Sequence, residues 1–205
     1  MTVAFLLHMQ VPKKLILASQ SPRRAFLLKQ IGLTFDVVPS HVSEETSDGL
    51  PPAEIVMSLA RAKAREIGDR QDDAIIIGAD TIVVLDGVIL GKPASAEEAV
   101  RMLQRLSGRD HVVYTGFTIL DVPSGKEYTG YEQTQVHFRP LREDEILEYV
   151  AGGSPMDKAG AYGIQDDYGA VFVDSIHGCF YTVVGFPLAK FHEAFTDFLS
   201  TLKKG

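Results

Sequence analysis

The sequence predicts an α/β fold built on a long mixed β-sheet with helices packed around it, and three observations carry that expectation. The stretch AIIIGADTIVVLDGVILGKP is a β-branched run that turns at Asp86 and Gly87, a dipeptide typical of tight hairpins. HVVYTGFTILDV and KEYTGYEQTQVHF read as two further long strands joined at Pro123, Ser124 and Gly125, the second alternating polar and apolar residues. Around these lie segments with helical period and helix-end punctuation.

In chain order, LILA at 15–18 is a short apolar strand. Ser21 and Pro22 then supply an N-cap and a proline at the first helical position, and a helix over 25–31 stops at Gly32. Residues 35–38 read as a second strand. A polar, acidic loop around Glu44, Glu45 and Asp48 leads to Pro51 and Pro52, which open a helix with Ile55, Val56, Leu59, Ala60 and Ile67 on one face. After the hairpin, a helix over about 96–106 ends at Gly108. REDEILEYVAGG is a helix with acidic residues in its first turn and Gly152 past its end. AVFVDSI and FYTVVG read as two short strands, followed by a closing helix that starts near Pro187. No repeat, low-complexity tract or linker divides the chain. Residues 13–205 are therefore expected to form a single domain behind a short N-terminal extension, 1–12, in which Met9 is an alternative start.

At 205 residues, 45% hydrophobic and 23% charged, the chain is long enough to bury a substantial core. Its formal net charge of −7 argues against a nucleic-acid coat or a polybasic membrane binder, so any affinity for phosphate must come from a local cluster of cations. Cys179 is the single cysteine, which fits a reducing compartment and excludes a disulfide framework or a cysteine zinc site. No run approaches the roughly 20 apolar residues of a membrane helix, and the apolar stretch near the N-terminus is short and has no basic residue before it. The expected location is the cytoplasm. Neither a G-x-x-x-x-G-K-[ST] loop nor a G-x-G-x-x-G fingerprint is present.

Arg23 and Arg24 stand where the first strand turns into a helix. Two cations at a helix N-terminus oppose its dipole unless an anion sits with them. Ser19, Ser21 and the unpaired amides of that turn can cradle a phosphate, with the arginines adding charge-assisted bonds; the plain alternative is a capped surface helix with two solvated arginines. Asp80 lies inside the apolar IIIGADTIVV, where a carboxylate requires a cation, several hydrogen bonds or a metal. Lys63 continues the row Ile55, Leu59, Lys63, Ile67 and so runs its stem along the inward helix face, either reaching the edge of the core or snorkelling to water. Lys92, in GKP after the hairpin, can reach the same end of the sheet. SPMDKAGAYGIQ is small and glycine-rich, with Gly160 and Gly163 allowing backbone to approach a ligand and Asp157, Lys158 and Gln165 supplying polar groups; loops of this composition also serve as plain connectors.

Taken in order, LILASQSPRR, the loop glutamate Glu44, LARAKA, IIIGADTIV, GKP, RLSGRDHVVYTG, PMDKAGAYGIQ and VVGFPL resemble the Maf family of nucleoside triphosphate pyrophosphatases from about residue 13 nearly to the C-terminus. The resemblance implies a Maf/ITPase-like α/β fold with a cleft between two lobes, and hydrolysis of a nucleoside triphosphate to monophosphate and pyrophosphate with a divalent metal. By position it makes Ser19, Arg24, Lys63 and Lys92 phosphate-side residues, Glu44 the acidic loop residue and Asp80 the general base. Lys158 joins the substrate-binding set. Arg23, Thr81 and Gln165 resemble the branch that takes dTTP and UTP rather than the one favouring 7-methyl-GTP. The DDYG after Gln165, containing Asp166 and Asp167, departs from the commonest pattern.

The expected reaction is in-line attack of water on the α-phosphorus. Asp80 takes the proton and, with Glu44, holds Mg²⁺ or another divalent cation, while the cations stabilise the phosphates. Two carboxylates suffice for Mg²⁺, which keeps many phosphate and water oxygens; the six histidines form no H-x-x-x-H pair, so zinc is not expected. The expected partner is the nucleoside triphosphate, without nucleic acid polymer or membrane and with a homodimer left open. Two other functions stand beside this one: a non-catalytic nucleotide-binding regulator of cell division, and a house-cleaning hydrolase of deaminated purine triphosphates.

Overall fold

The apolar runs assemble into one seven-stranded sheet. In the computed structural model of the chain, which describes residues 11–43, 49–165 and 168–202, the strands are β1 (Lys14–Ala18), β2 (Asp36–Val37), β3 (Ala74–Leu85), β4 (Val88–Leu90), β5 (Asp110–Asp121), β6 (Glu127–Phe138) and β7 (Val173–His177). Their spatial order is β2-β1-β3-β5-β6-β7, with β4 paired to β3. β1 runs parallel to both β2 and β3, whereas β3, β5, β6 and β7 are successively antiparallel. The hairpin between β3 and β4 turns on Asp86 and Gly87, both in the left-handed region at φ 52° and 76°, the geometry a two-residue turn needs to match the strand twist. Most of residues 1–12 lie outside the described residues.

The alternation of β3 sorts its side chains between two layers. Ile75, Ile77, Ala79, Val83 and Leu85 join the larger core with α1 (Pro22–Gln30), α3 (Ala96–Leu106), α4 (Glu143–Ala151) and α6 (Leu188–Leu202). Ile76, Ile82 and Val84 face the other way, against α2 (Pro52–Gly68). Helix α2 lies unusually close to the sheet because β3 and β5 present glycines there. A Cβ on Gly78 would collide with the Ala60 carbonyl and the Ala64 amide, and one on Gly116 with the Val56 carbonyl.

One sequence expectation fails locally. FYTVVG is not a strand: Phe180–Val184 form a short helix, α5, and only the second half of AVFVDSI enters the sheet, the first half lying in a 3-10 turn at Tyr168–Phe172. After β7, Gly178 takes φ 134°, and the amide and carbonyl of Cys179 both bond Thr134 Oγ1 on β6 at 2.9 Å. The chain is thereby turned off the sheet, and Cys179 O accepts the Thr182 amide to start a helix despite its β-branched residues. The closing helix does start just after Pro187, and the Ser21 cap with proline at the first helical position forms as expected.

Among the described residues, no helix is long and apolar enough to cross a membrane.

Candidate active site

A break in strand pairing creates the site. One edge of β3 pairs with β1 as far as Gly78 and with β4 from Val83 onward, so residues 79–82 carry no strand partner on that edge. β1 ends at Ala18 opposite Gly78, and the chain turns through Ser19 and Ser21 into α1 over this gap. The result is a cleft of about 500 Å³. Ser19, Arg23, Arg24, Lys63, Asp80, Thr81, Lys92, Lys158 and Gln165 all line it, so nine residues singled out from the sequence converge although they span most of the chain. Among the described residues, five cations, Arg23, Arg24, Lys63, Lys92 and Lys158, face two carboxylates, Asp80 and Asp157, in a protein of formal charge −7.

Asp80 and Thr81 are adjacent and therefore point to opposite faces of the sheet. Asp80 faces α2, where Lys63 Nζ meets its Oδ1 at 2.6 Å. Both side chains are buried, 7% and 6% exposed. The Lys63 stem follows the inward row of α2, and its charge ends on Asp80 rather than snorkelling to bulk water. The close seat of α2 permitted by Gly78 and Gly116 makes this reach possible.

Thr81 faces the other layer and meets Arg24. The guanidinium is fixed at all three nitrogens: Nε donates to Gly185 O at 3.0 Å, Nη1 to Ser19 Oγ at 3.2 Å and Nη2 to Thr81 Oγ1 at 3.0 Å. Ser21 caps α1 by accepting the Arg24 amide at 3.5 Å, while its own amide donates to Ser19 Oγ at 3.1 Å. The N-terminus of α1 and a locked arginine thus share one wall, the arrangement that suits an anion. Thr81 is consequently engaged with Arg24 as well as lining the cleft.

At the mouth, Arg23 Nη1 donates to Asp157 Oδ2 at 2.7 Å and Nη2 to the Asp157 carbonyl at 3.2 Å, joining α1 to the 3-10 turn Ser154–Asp157. Lys158 Nζ donates to Asp157 Oδ1 at 2.9 Å, to Ser154 O at 2.6 Å and to Ser154 Oγ at 3.2 Å. Desolvation pushes the Asp157 carboxyl up, but the hydrogen bonds from Lys158 and Arg23 outweigh it and hold the pKa below the usual aspartate value. Gln165 sits on the same wall. The Gly160 amide bonds Gly91 O at 3.0 Å, tying the glycine-rich loop to the turn that carries Lys92.

Glu44 lies outside the described residues, as do Asp166 and Asp167. The loop that leads to Glu44 is anchored where it leaves the sheet: Ser40 Oγ donates to Glu66 Oε2 at 2.6 Å and the His41 amide donates to the same oxygen at 2.9 Å. These two bonds hold the Glu66 carboxyl below its usual range. Among the described residues, no three His, Cys, Asp or Glu side chains cluster as a metal cage. Asp80 is the carboxylate at the floor, with one oxygen held by Lys63, so a hard cation bound there would take most of its oxygens from a ligand and water.

Sequence reasoning passed over the wall behind this cleft. Tyr162, buried, lines it and shares a 2.8 Å hydrogen bond with His111 Nε2 on β5, the two rings meeting edge-on with Phe138 beside them. Burial lowers the His111 pKa to about 4 and raises that of Tyr162, so the pair is neutral at pH 7. Thr115, fully buried on β5, was missed as well, although it carried the same signal as Asp80: a polar residue inside an apolar strand run.

Comparison with known proteins shows what the chain is similar to in sequence. The family model described as Maf-like protein matches residues 14–198. A dTTP/UTP pyrophosphatase of Pelotomaculum thermopropionicum is 49% identical over 186 residues, covering 91% of this chain and 97% of that protein. One of Caldicellulosiruptor saccharolyticus is 45% identical over 197 residues, 94% and 98% of the two chains. Among solved structures, a HAM1 protein from Coxiella burnetii aligns over 94% of this chain and 99% of its own at 14% identity and a TM-score of 0.44, a likeness too loose to bear on the site.

Proposed function

The chain belongs to the Maf family, and on that premise we propose that it hydrolyses dTTP and UTP to the monophosphate and pyrophosphate, as a cytoplasmic enzyme that clears nucleotides from the pool. One observation carries the reading. Asp80 stands in the same cleft as the locked Arg24, with Lys63, Lys92 and the α1 N-terminus around it, so a carboxylate fit to handle water lies beside a cradle for several phosphates. The names of the relatives do not favour a non-catalytic regulator.

In this reading the triphosphate lies along the gap in β3. Ser19, Arg24 and the amides at the start of α1 bind phosphate oxygens, and Lys63 and Lys92 neutralise charge that builds on the departing pyrophosphate. Asp80 takes the proton of the water that attacks the α-phosphorus. Asp80 and Glu44 would hold Mg²⁺ or another divalent cation, which would supply further neutralisation of the phosphates when bound. Arg23 and Gln165 on the mouth and side wall face the base and favour a pyrimidine, and Thr81 contributes through Arg24.

The test is turnover of dTTP, UTP, ITP and 7-methyl-GTP with the products identified. The proposal expects monophosphate plus pyrophosphate and a kcat/KM for dTTP and UTP at least about tenfold above the purine nucleotides, the scale that unpaired polar groups in a site impose on a wrong substrate. Preferred turnover of ITP would replace the pyrimidine assignment with the deaminated-purine one.

A further inference from the structure

We infer that Thr115, a fully buried residue on β5 that touches no open part of the cleft, is a positioning residue for Arg24, acting through Thr81 and under the control of α5. Thr115 stands directly opposite Thr81 in the β3–β5 register, on the same face of the sheet. Its hydroxyl donates to the Thr182 carbonyl on α5 at 2.8 Å. A hydroxyl has one proton. The 3.0 Å contact between the two threonine oxygens is therefore a bond in which Thr81 donates and Thr115 accepts. Thr81, having given its proton away, turns lone pairs toward Arg24 Nη2, which is the arrangement a guanidinium requires.

The direction of every proton in the row Arg24, Thr81, Thr115 is thus set by one carbonyl of α5. A second carbonyl from the end of the same segment, Gly185 O, accepts Arg24 Nε at 3.0 Å. Two of the three nitrogens of the arginine are consequently held by α5, one directly and one through the threonines. Chains of hydrogen bonds in a buried setting orient their members more strongly than isolated pairs do. Without the Thr115 hydroxyl, Thr81 is free to rotate its proton toward Gly185 O, 3.5 Å away, and the fixed direction toward Arg24 is lost.

The inference rests on the proposed function for its substrate, so it is read in two ways. Thr115→Val keeps the shape and the β-branching of the strand, while Thr115→Ser keeps the hydroxyl. With UTP as substrate, Thr115→Val lowers kcat/KM about tenfold, the effect of one misdirected hydrogen bond to a charged group. Thr115→Ser recovers most of it, and Thr115→Val adds no further loss in an Arg24→Ala background. An equal loss with and without Arg24 overturns the inference. Independently of turnover, the ¹⁵N spectrum of arginine Nε–H groups shows an Arg24 signal, identified by its disappearance in Arg24→Lys, that shifts or broadens in Thr115→Val and returns in Thr115→Ser. An Arg24 signal that does not move in Thr115→Val overturns the inference whatever the enzyme hydrolyses. A signal that moves in a protein that fails on UTP upholds the positioning role and removes the substrate assignment instead.

Discussion

Lys63–Asp80 at the floor of the cleft and Arg23–Asp157 at its mouth are equally short ion pairs, 2.6 and 2.7 Å, yet they sit in different media. The floor pair is 7% and 6% exposed; at the mouth Arg23 is 20% and Asp157 58% exposed. Removing one partner of a buried pair strands a charge in a low dielectric, whereas an exposed pair exchanges its bonds for water at little cost. The floor is accordingly a fixed element that can serve chemistry. The mouth is a replaceable contact, in which the Asp157 carboxylate occupies positions on Arg23 and Lys158 that acceptor groups of a ligand can take over.

Substitutions can break this contrast, beginning with the floor. Asp80→Asn preserves volume and should keep the fold by circular dichroism while lowering the urea midpoint, because Lys63 loses its buried counter-charge; turnover of UTP should drop about 10²-fold or more, the loss typical of removing a general base. A folded mutant within a few-fold of wild type would remove Asp80 from that role. Gly78→Ala acts on the floor indirectly: the new methyl meets backbone atoms of Ala60 and Ala64, so α2 must shift and carry Lys63 away from Asp80. Urea unfolding should show a loss of about 3 kcal/mol, the upper part of the range for overpacking, together with reduced turnover.

The back wall sharpens the contrast through pH. His111 is depressed to about 4 by burial, below the 6.5 of the unfolded chain. Between those values the unfolded chain binds a proton that the native one does not, so the stabilisation is present above pH 6.5 and is lost as pH falls toward 4. From pH 7 to pH 5 this amounts to about 2 kcal/mol. Urea midpoints at the two pH values should therefore differ more for wild type than for His111→Gln. An unchanged pH dependence in the variant would mean that His111 is already charged in the native state.

The smallest effect is expected at the mouth. Asp157→Asn should cost about 1 kcal/mol or less, because the buried Lys158 keeps its two bonds to Ser154, while loosening Arg23 and Lys158 from the carboxylate should tighten UTP binding by about threefold at low salt. That gain should fade as added salt screens the charges at the mouth of the cleft. Weaker binding in the variant would show that Asp157 orients Arg23 for the ligand instead of standing in for it.

Much of this was legible in the sequence wherever the signal was local. The inward row of α2 placed Lys63, the apolar run around Asp80 marked it as a partnered carboxylate, and Ser21 with Pro22 marked the start of α1. The gap in β3 that makes room for the ligand was not legible, because it arises from where β1 ends and β4 begins along one edge. Nor was the Arg23–Asp157 contact, which joins positions 134 residues apart. FYTVVG misled because its β-branched composition favours strand, while Gly178 and the bonds from Thr134 decide the local path. The parity of Thr81 on β3, which sets it against Arg24 on the face opposite Asp80, needs the sheet's orientation as well as the sequence.

In the proposed reaction this cleft directs water to the α-phosphorus while its cations hold the β- and γ-phosphates as a leaving unit. Hydrolysis of UTP in ¹⁸O-labelled water, followed by mass spectrometry of both products, tests it most directly. Attack at the α-phosphorus puts label in UMP and none in the released pyrophosphate. Labelled pyrophosphate would mean attack at the β-phosphorus, and UDP with labelled orthophosphate would mean attack at the γ-phosphorus; either result contradicts the account.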